Sequence, residues 1–375
     1  MNPFTLLIKP SGSNCNIDCG YCFYKSRSPE VGKGRQRMSD EVLERLISDY
    51  LQLGFRMTEF AWQGGEPTLM GLDFYKKVVE LQKKHGRSGQ QISNSLQTNG
   101  ILLDDEWCKF LHENKFLVGI SIDGPREFHD YYRLDYSGKG TFDKVVSGIE
   151  KCKGHQVEFN TLTLLNAKNV EHPGKIFDFL ISLGVKFMQF IPCVEIDPNT
   201  GKIADFSITP EQYGEFLCKI FDLWCDYGCE KLSVRDFDSI LSYCISGRHN
   251  ICTYDKQCSQ YIVIEHSGDA FCCDFFVEPK WKLGNILDIP IEKLASRKTK
   301  RDFARNKQNH PNKCLMCRYF FLCRGGCLKN RIGSNGYDFS KETCFCEAYK
   351  RFFDYSMSKF MQIAAQIKAG MPTHR

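Results

Sequence analysis

Three cysteines near the N-terminus constrain this chain more than any other feature. Cys15, Cys19 and Cys22 follow the spacing Cys-x3-Cys-x2-Cys and come directly after the apolar run 4–8. Iron–sulfur cubanes normally take four Cys ligands, so three thiolates leave one iron with an open position. An open metal position can bind and activate a small molecule, and the amino and carboxylate groups of S-adenosylmethionine (SAM) suit it. The triad therefore predicts a SAM-cleaving iron–sulfur cluster, against the alternatives of a zinc site or a disulfide pair.

Composition narrows the class of protein. The 375 residues include 20 Cys, 50 Lys+Arg and 45 Asp+Glu, and the net charge of +5 is too small to indicate nucleic acid or a membrane surface. Residues 1–14 lack the apolar core of a signal peptide, and no apolar run reaches the roughly 20 residues that span a bilayer. We therefore expect a cytoplasmic protein whose cysteines ligate metal rather than form disulfides.

A strand–helix alternation runs through the first half of the chain. Strands are predicted at 4–8, 58–62, 91–97, 116–122, 157–165 and 186–191. Helices are predicted at 39–53, where Ser39 is the cap, and at 74–85, 104–113, 141–152, 170–183 and 211–227. Six strand–helix units predict an α/β fold, a partial (β/α)6 TIM-like barrel over residues 1–235. In such folds the chemistry lies at the C-terminal ends of the strands.

Residues 236–375 are predicted to form a second, Cys-rich domain that ends in a C-terminal helix. Alternating residues 261–266 and the Ser-Gly-Asp turn after them predict a β-hairpin. From spacing alone, two cubanes with four Cys ligands each and a pair of zinc knuckles fit equally well. The cysteines form the groups Cys252-x5-Cys258-x14-Cys273 and Cys314-x2-Cys317-x5-Cys323-x3-Cys327, with Cys346 beyond them.

These motifs together resemble a known family. The Cys triad, the segment Gln63-Gly-Gly-Glu-Pro-Thr68 and the C-terminal Cys array look like a radical SAM enzyme with a SPASM domain. Within that group the chain is most similar to the anaerobic sulfatase-maturating enzymes, in segments that include 94–100, 121–125 and 273–277. The resemblance runs from about residue 6 to residue 349. It implies a SPASM domain with two auxiliary iron–sulfur clusters, in addition to the cluster that cleaves SAM.

The resemblance also implies ligand sets for three [4Fe-4S] clusters and for SAM. The SAM-cleaving cluster would be held by Cys15, Cys19 and Cys22. SAM would be contacted by Tyr21, Gly64, Gly65, Glu66, Ser121, Arg133 and Val194. The first auxiliary cluster would be held by Cys252, Cys258, Cys273 and Cys327, and the second by Cys314, Cys317, Cys323 and Cys346. The sequence leaves open whether Cys272 replaces Cys273 and whether Cys344 replaces Cys346. The other cysteines are expected to be small buried residues.

The reaction that the resemblance implies is the oxidation of a peptide side chain. A 5′-deoxyadenosyl radical would remove a Cβ hydrogen from a Cys or Ser in a peptide segment of an unfolded sulfatase. Asp274 would accept the thiol or hydroxyl proton, Tyr24 and Gln63 would position the peptide, and an auxiliary cluster would take one electron. The product would be Cα-formylglycine. Free Asp has a pKa of about 3.9 and free Cys about 8.5, so we expect proton transfer during or after radical formation.

Two other functions are alternatives at this point. Another SPASM peptide modification, such as thioether or carbon–carbon crosslinking of a ribosomal peptide, would use the same motifs. Such enzymes often carry an N-terminal peptide-recognition domain, whereas this barrel is predicted to begin at Phe4. A metal-binding adaptor with zinc at its C-terminal cysteines is the non-enzymatic alternative. We expect as partner an electron donor such as flavodoxin or ferredoxin, no nucleic acid and no membrane, and a monomeric enzyme.

Overall fold

The computed structural model describes residues 3–24, 36–334 and 336–370, which divide into two compact units. The first unit contains the described residues of Met1–Ser121, Tyr132–Phe159 and Cys258–Ala304. The second contains those of Ile122–Tyr131, Asn160–Gln257 and Arg305–Arg375. Both units are therefore assembled from separated stretches of chain. The boundary predicted at residue 235 stays a prediction.

Strand positions agree with the sequence analysis. All six strands predicted in the first half are confirmed, with ends that shift by no more than two residues. The predicted hairpin is also confirmed, as an antiparallel pair in which Val263 lies opposite Phe271. In chain order the strands are β1 (Thr5–Lys9), β2 (Met57–Trp62), β3 (Gln91–Thr98), β4 (Leu117–Ser121), β5 (Phe159–Leu165), β6 (Phe187–Pro192), β7 (Ser233–Val234), β8 (Tyr261–Glu265), β9 (Asp269–Phe271), β10 (Lys282–Asn285), β11 (Ile332–Gly333) and β12 (Gly336–Tyr337).

The predicted helices are confirmed too, and Ser39 Oγ accepts the Val42 N–H as the cap of the first one. The helix Lys298–Asn306 escapes prediction because it contains a single large apolar residue, Phe303, and so shows no helical period. In the part of the chain that the structure describes, the α-helices are Asp40–Gln52, Leu72–His85, Asp105–Glu113, Arg126–Tyr132, Phe142–Gly154, Pro173–Ser182, Pro210–Tyr227, Arg235–Ser246, Ile291–Ala295, Lys298–Asn306, Asn312–Leu315, Phe320–Cys323 and Cys346–Lys368.

The first unit is built on a sheet with the strand order β10–β9–β8–β1–β2–β3–β4. Strands β1 to β4 are parallel, as predicted, and β8 adds a further parallel neighbour to β1. The register places Lys9 opposite Glu265, where β1 and β8 end. Apolar side chains such as Leu6, Ile8 and Trp62 are fully buried against the sheet. The pairing of β8 with β1 joins the Cys-rich hairpin to the strand that precedes the cysteine triad.

The second unit contains the short parallel sheet β5–β6–β7. Its C-terminal helix Cys346–Lys368 packs on the helix Pro210–Tyr227 through aromatic side chains, with the ring centres of Phe221 and Phe360 4.8 Å apart. Apolar burial of this kind explains why the two helices adhere. Among the described residues, no helix has both the length and the apolar character that crossing a membrane requires.

Candidate active site

The cysteine triad lies on the loop that follows β1. Cys19 is buried, and Cys15 and Cys22 are partly exposed. Asn99 Nδ2, from the loop after β3, approaches Cys15 Sγ at 3.8 Å. Burial raises the pKa of the Cys15 thiol to about 12, and the Glu66 carboxylate acts in the same direction, as do the other two cysteines. Three thiols on one loop need a positive partner to ionise together, and this donor set suits iron.

The glycine pair after β2 allows two backbone segments to meet. A Cβ on Gly65 would lie 2.0 Å from the Asn14 carbonyl oxygen, and one on Gly64 would lie 3.0 Å from the Gly12 oxygen. The Gly65 N–H donates to Gly12 O at 2.8 Å, and the Glu66 N–H donates to Asn14 O at 2.7 Å. The glycines therefore hold the start of the cysteine loop against the end of β2.

The Glu66 carboxylate is fully buried and accepts four hydrogen bonds from the protein itself. The donors are the Thr68 N–H and hydroxyl, the Thr98 hydroxyl and the Asn99 N–H, at 2.6 to 3.0 Å. Burial raises the pKa of Glu66, and these hydrogen bonds oppose the rise. The side chain is thus engaged internally, and the backbone of this loop is the part of it that a ligand could contact.

The predicted SAM contacts Tyr21 and Arg133 meet in the first unit. Arg133 is buried, and its Nη1 donates to the Tyr21 hydroxyl at 3.0 Å. Ser121, which ends β4, accepts a hydrogen bond from Gln97 Nε2 at 3.2 Å. Val194 belongs to the second unit, where its carbonyl accepts the buried Lys329 ammonium at 3.0 Å. A buried guanidinium is well suited to hold a ligand carboxylate.

The predicted base Asp274 begins a short 3-10 turn directly after Cys273. Gln63 Nε2, at the end of β2, donates to Asp274 Oδ2 at 3.5 Å. Asp274 Oδ1 lies 3.7 Å from Cys273 Sγ. The structure therefore brings Gln63, a peptide-positioning candidate, to an acid–base candidate and its neighbouring candidate cluster ligand, which follow it by more than 200 residues in the sequence.

The candidate ligands of the first auxiliary cluster are divided between the units, with Cys258 and Cys273 in the first and Cys252 and Cys327 in the second. Cys273 is partly exposed. Its neighbour Cys272 is buried, with Sγ 3.9 Å from the Thr299 carbonyl, and burial raises the pKa of Cys272 to about 12. This difference in burial favours Cys273 as the ligand.

The candidate ligands of the second auxiliary cluster share one small cavity in the second unit. Cys314, Cys317, Cys323 and Cys346 all line it, together with Lys313, Lys350 and aromatic side chains. Cys344 is not among the lining residues. The geometry therefore favours Cys346 over Cys344.

The expectation that all the other cysteines are buried is wrong for five of them. Cys108, Cys152, Cys193 and Cys272 are buried, as expected. The partly exposed ones are Cys218, Cys225, Cys229, Cys244 and Cys344. Most of these lie on amphipathic helices, where a small thiol at the border of the apolar face keeps some contact with solvent.

Comparison with known proteins decides the family. The model of the Radical SAM superfamily matches residues 10–180, and that of the SPASM iron–sulfur cluster-binding domain matches residues 252–318. The cysteine-type anaerobic sulfatase-maturating enzyme of Clostridium perfringens (strain 13 / Type A) is 39% identical over 372 residues, 98% of this chain and 100% of that protein. The chain belongs to the anaerobic sulfatase-maturating enzymes. The serine-type enzyme of Bacteroides thetaiotaomicron is 38% identical over 370 residues, 94% of this chain and 89% of that protein.

A solved structure agrees with this assignment. Native anSMEcpe with bound AdoMet and Cp18Cys peptide aligns with a TM-score of 0.91 and 38% identity, over 98% of this chain and 100% of that one. This sulfatase-maturating enzyme is therefore a radical SAM enzyme with a parallel α/β sheet and a SPASM domain. The match to an iron–sulfur cluster-binding domain favours iron–sulfur clusters over zinc at the C-terminal cysteines. The Cys-rich C-terminal region is consistent with auxiliary clusters.

The structure adds two residues of this sulfatase-maturating enzyme that the sequence does not single out, Glu265 and Lys9, and both contact Tyr24. Tyr24, predicted to position the peptide, is buried, and its hydroxyl donates to Glu265 Oε1 at 2.5 Å. The Lys9 ammonium lies 3.7 Å from the centre of the Tyr24 ring. Both additions depend on the pairing of β1 with β8, which no local pattern predicts. The charged residues that end these strands, Lys9 and Glu265, were the available signal.

Proposed function

We propose that this protein oxidises a Cys or Ser side chain in a sulfatase peptide segment to Cα-formylglycine. The observation that carries the proposal is the contact between Gln63 Nε2 and Asp274 Oδ2, because it joins the end of β2 to the residue after Cys273. An acid–base group and a polar side chain able to bind peptide thus lie beside a candidate cluster ligand. Similar identity to a cysteine-type and a serine-type enzyme, 39% and 38%, supports both substrates.

SAM and three [4Fe-4S] clusters fit the residues present. Three thiols share one short loop, where burial raises the pKa of Cys15, and the buried Arg133 beside Tyr21 offers a partner for the SAM carboxylate. The AdoMet-bound structure of anSMEcpe supports the same ligand here. When bound, these groups supply a 5′-deoxyadenosyl radical that removes the Cβ hydrogen, and an auxiliary cluster that accepts one electron.

Asp274 would take the proton that the reaction releases. After Cβ has lost its hydrogen atom, a Cys substrate must lose one proton and one electron to become a thioaldehyde, and a Ser substrate becomes the aldehyde in the same way. Gln63 holds Oδ2, and Oδ1 faces Cys273 Sγ at 3.7 Å, so the proton acceptor lies beside the proposed route for the electron. Water then converts the thioaldehyde to the aldehyde and releases hydrogen sulfide.

Tyr24 would support the peptide site from within the protein. It is 2% exposed, and its hydroxyl is bound to Glu265. The Lys9 ammonium lies over its ring, so two charged side chains, Glu265 and Lys9, fix one orientation of Tyr24. Electrons would come from a low-potential donor such as flavodoxin or ferredoxin, and the enzyme would act as a monomer.

Anaerobic turnover with defined peptides tests the proposal. The reconstituted enzyme receives SAM, a chemical reductant and a Cys-x-Pro-x-Arg peptide, with the Ser version alongside. Mass spectrometry follows the peptide, and chromatography follows 5′-deoxyadenosine. We expect the peptide mass to fall by about 18 Da for Cys and by about 2 Da for Ser.

The outcomes separate the alternatives. SAM cleavage without any change in either peptide would contradict sulfatase maturation and would favour crosslinking of a ribosomal peptide. A mass loss of about 2 Da on the Cys peptide, with no aldehyde, would point to a crosslink or an unhydrolysed thioaldehyde. Reaction of the product with an aldehyde-specific hydrazide distinguishes formylglycine from both.

A further inference from the structure

A buried lysine contacts the backbone beside Cys273, a candidate auxiliary ligand of the first unit. Lys300 is 6% exposed, and its ammonium donates to the Cys272 carbonyl at 3.2 Å and to the Tyr261 carbonyl. These two carbonyls belong to the hairpin that carries Cys258 at one end and Cys273 at the other. The ammonium is therefore fixed at the base of the hairpin rather than extended into solvent.

The helix Lys298–Asn306 holds this lysine in place. Phe303 is fully buried, and its ring centre lies 5.0 Å from that of Trp281 and 5.6 Å from that of Phe276. Residues three apart lie on the same side of a helix, so the docking of Phe303 directs Lys300 inward as well. A lysine on a docked helix cannot swing out to water without breaking these aromatic contacts.

Among the described residues, the charge of Lys300 is not paired with a carboxylate. In the part of the chain that the structure describes, Lys300 forms no ion pair with Asp or Glu, and its contacts are the two carbonyls. Burial lowers the pKa of Lys300, and the negative charges of Cys272, Cys273 and Cys258 raise it. A buried cation requires compensating negative charge, and the thiolate ligands of a bound cluster would supply it.

We propose that Lys300 tunes the auxiliary cluster that Cys258 and Cys273 help to hold, and that its ammonium raises the reduction potential of that cluster so that it accepts the substrate's electron. The inference rests on the proposed function, because it assigns a role within the same oxidation. Lys300 acts through the cluster and does not touch the peptide.

The physical reason is the charge that reduction adds. A four-iron cluster with thiolate ligands is anionic, and one-electron reduction makes it more negative. A cation held in a low-dielectric interior stabilises the reduced form more than the oxidised form. When the substrate radical is oxidised, its electron enters the cluster and its proton goes to Asp274, so charge balances. With a lower potential the electron would remain on the substrate and the aldehyde would not form.

A redox titration followed by electron paramagnetic resonance tests this role. The full chain is used with Cys15, Cys19 and Cys22 replaced by Ala, so that the auxiliary clusters alone give a signal. In this background Lys300→Met removes the charge, and Lys300→Arg retains it. Lys298→Met is the matched control, because Lys298 lies on the same helix, is exposed and pairs with Asp302.

Lys300→Met is expected to lower the equilibrium constant for reduction of one auxiliary cluster at least tenfold, which is about 59 mV for a one-electron couple. Lys300→Arg and Lys298→Met should leave that constant within about twofold. The other auxiliary cluster should not respond to any of the three. With the triad restored, Lys300→Met should form less aldehyde per 5′-deoxyadenosine released.

Two results would overturn the proposal: unchanged potentials in Lys300→Met, or equal shifts in the Met and Arg variants. Iron and sulfide analysis separates this failure from a failure of the proposed function. If the triad-free background retains no auxiliary iron with Lys300 intact, the proposed function is at fault. If Lys300→Met loses iron, Lys300→Gln compared with Lys300→Arg isolates the charge.

Discussion

The two cysteine-bearing regions of the first unit have buried neighbours of opposite charge. Beside Cys15 lies the carboxylate of Glu66, fully buried and bound by four donors. Beside Cys258 and Cys273 lies the ammonium of Lys300. A negative neighbour makes a cluster harder to reduce and hence a stronger reductant, whereas a positive neighbour makes it a better acceptor. The proposed reaction needs this order, since the first cluster gives an electron to SAM and the second takes one from the substrate.

In the second unit, too, a buried positive charge accompanies candidate cluster ligands. Burial raises the pKa of Cys314, and the positive charge of Arg331 opposes the rise. Arg331 is fully buried, and its guanidinium donates to the carbonyls of Gly325, Asn309 and Phe339. A fixed cation therefore accompanies the candidate ligands of both auxiliary clusters. The contrast is between the triad loop and the Cys-rich C-terminal region as a whole.

We call the region of Cys258 and Cys273 the acceptor side, because its cluster would accept the substrate's electron. The largest expected effect is that of Asp274→Asn on this side. An amide cannot take the substrate proton, and general acid–base catalysis contributes roughly a hundred- to ten-thousand-fold. We expect aldehyde formation to fall by about that factor while 5′-deoxyadenosine release continues. Asp288→Asn, an exposed change in the same unit, serves as control. Equal loss of both products in Asp274→Asn would show that Asp274 acts on SAM binding and not on the proton.

We call the region of the cysteine triad the donor side, because its cluster would give an electron to SAM. The next largest effect is expected there, for Gly65→Ala. The new Cβ would lie 2.0 Å from the Asn14 oxygen, so the cysteine loop must move away from β2. Overpacking of this kind costs about 1–3 kcal/mol, and we expect a lower thermal midpoint and loss of iron from the triad cluster. Gly154→Ala is the matched control, since a Cβ there meets nothing within 4 Å. Full iron content in Gly65→Ala would mean that the loop tolerates the shift.

The donor side of this comparison could be predicted from sequence, because its parts are local. The spacing of Cys15, Cys19 and Cys22 and the glycine pair lie within short segments, and each follows a strand with a clear apolar pattern. Strands β1 to β6 and their helices were predicted for the same reason. Parallel strands in order bring successive loops to one edge of a sheet, so the meeting of the loops followed from topology alone.

The cysteines and Asp274 of the acceptor side were predicted, but its buried charges were not, because long-range contacts place them. Lys300 lies in a polar helix that docks through one large apolar residue, Phe303. Glu265 meets Tyr24 only because β8 pairs with β1, more than 200 residues away in sequence. The hydrogen bonds by which Glu66 and the glycines join neighbouring loops could not be predicted either, while their contact with SAM stays a prediction. A sequence pattern shows which residues are polar, and tertiary contacts decide what they contact.

A tenfold effect is expected from Glu66→Gln, the donor-side counterpart of Lys300→Met. Removal of the negative charge should raise the equilibrium constant for reduction of the triad cluster about tenfold, or about 59 mV. The Gln side chain keeps one acceptor oxygen for Thr68 and Thr98 but faces the Asn99 N–H with a donor. Some loss of stability is therefore expected as well.

Redox titration of a variant without auxiliary clusters measures this effect. Glu59→Gln is the control, because Glu59 lies on β2 and is exposed. No change in potential in Glu66→Gln would indicate that the carboxyl is protonated in the wild type, since burial raises the pKa of Glu66. The contrast between the two regions would then rest on Lys300 alone.

The smallest effect is expected for Glu265→Gln and concerns the pH dependence of stability. Burial raises the pKa of Glu265, while Lys9 and the Tyr24 hydroxyl oppose the rise. The folded protein therefore keeps this proton at pH values where the unfolded chain, with a pKa near 4.5, has lost it. Stability contributed by Glu265 is present in full below the unfolded pKa, falls as pH rises toward the folded pKa and levels off above it.

Glu265→Gln removes that decline and keeps an acceptor for the Tyr24 hydroxyl. We expect the wild type to lose stability relative to the variant as the pH rises from about 5 to about 8, measured as the difference in anaerobic thermal midpoints. Glu59→Gln, exposed on β2, should show no such trend. A wild type that gains stability relative to Glu265→Gln over the same range would mean that Lys9 outweighs burial. Glu265 would then be ionised in the folded protein and would form an ion pair with Lys9 instead of holding a proton.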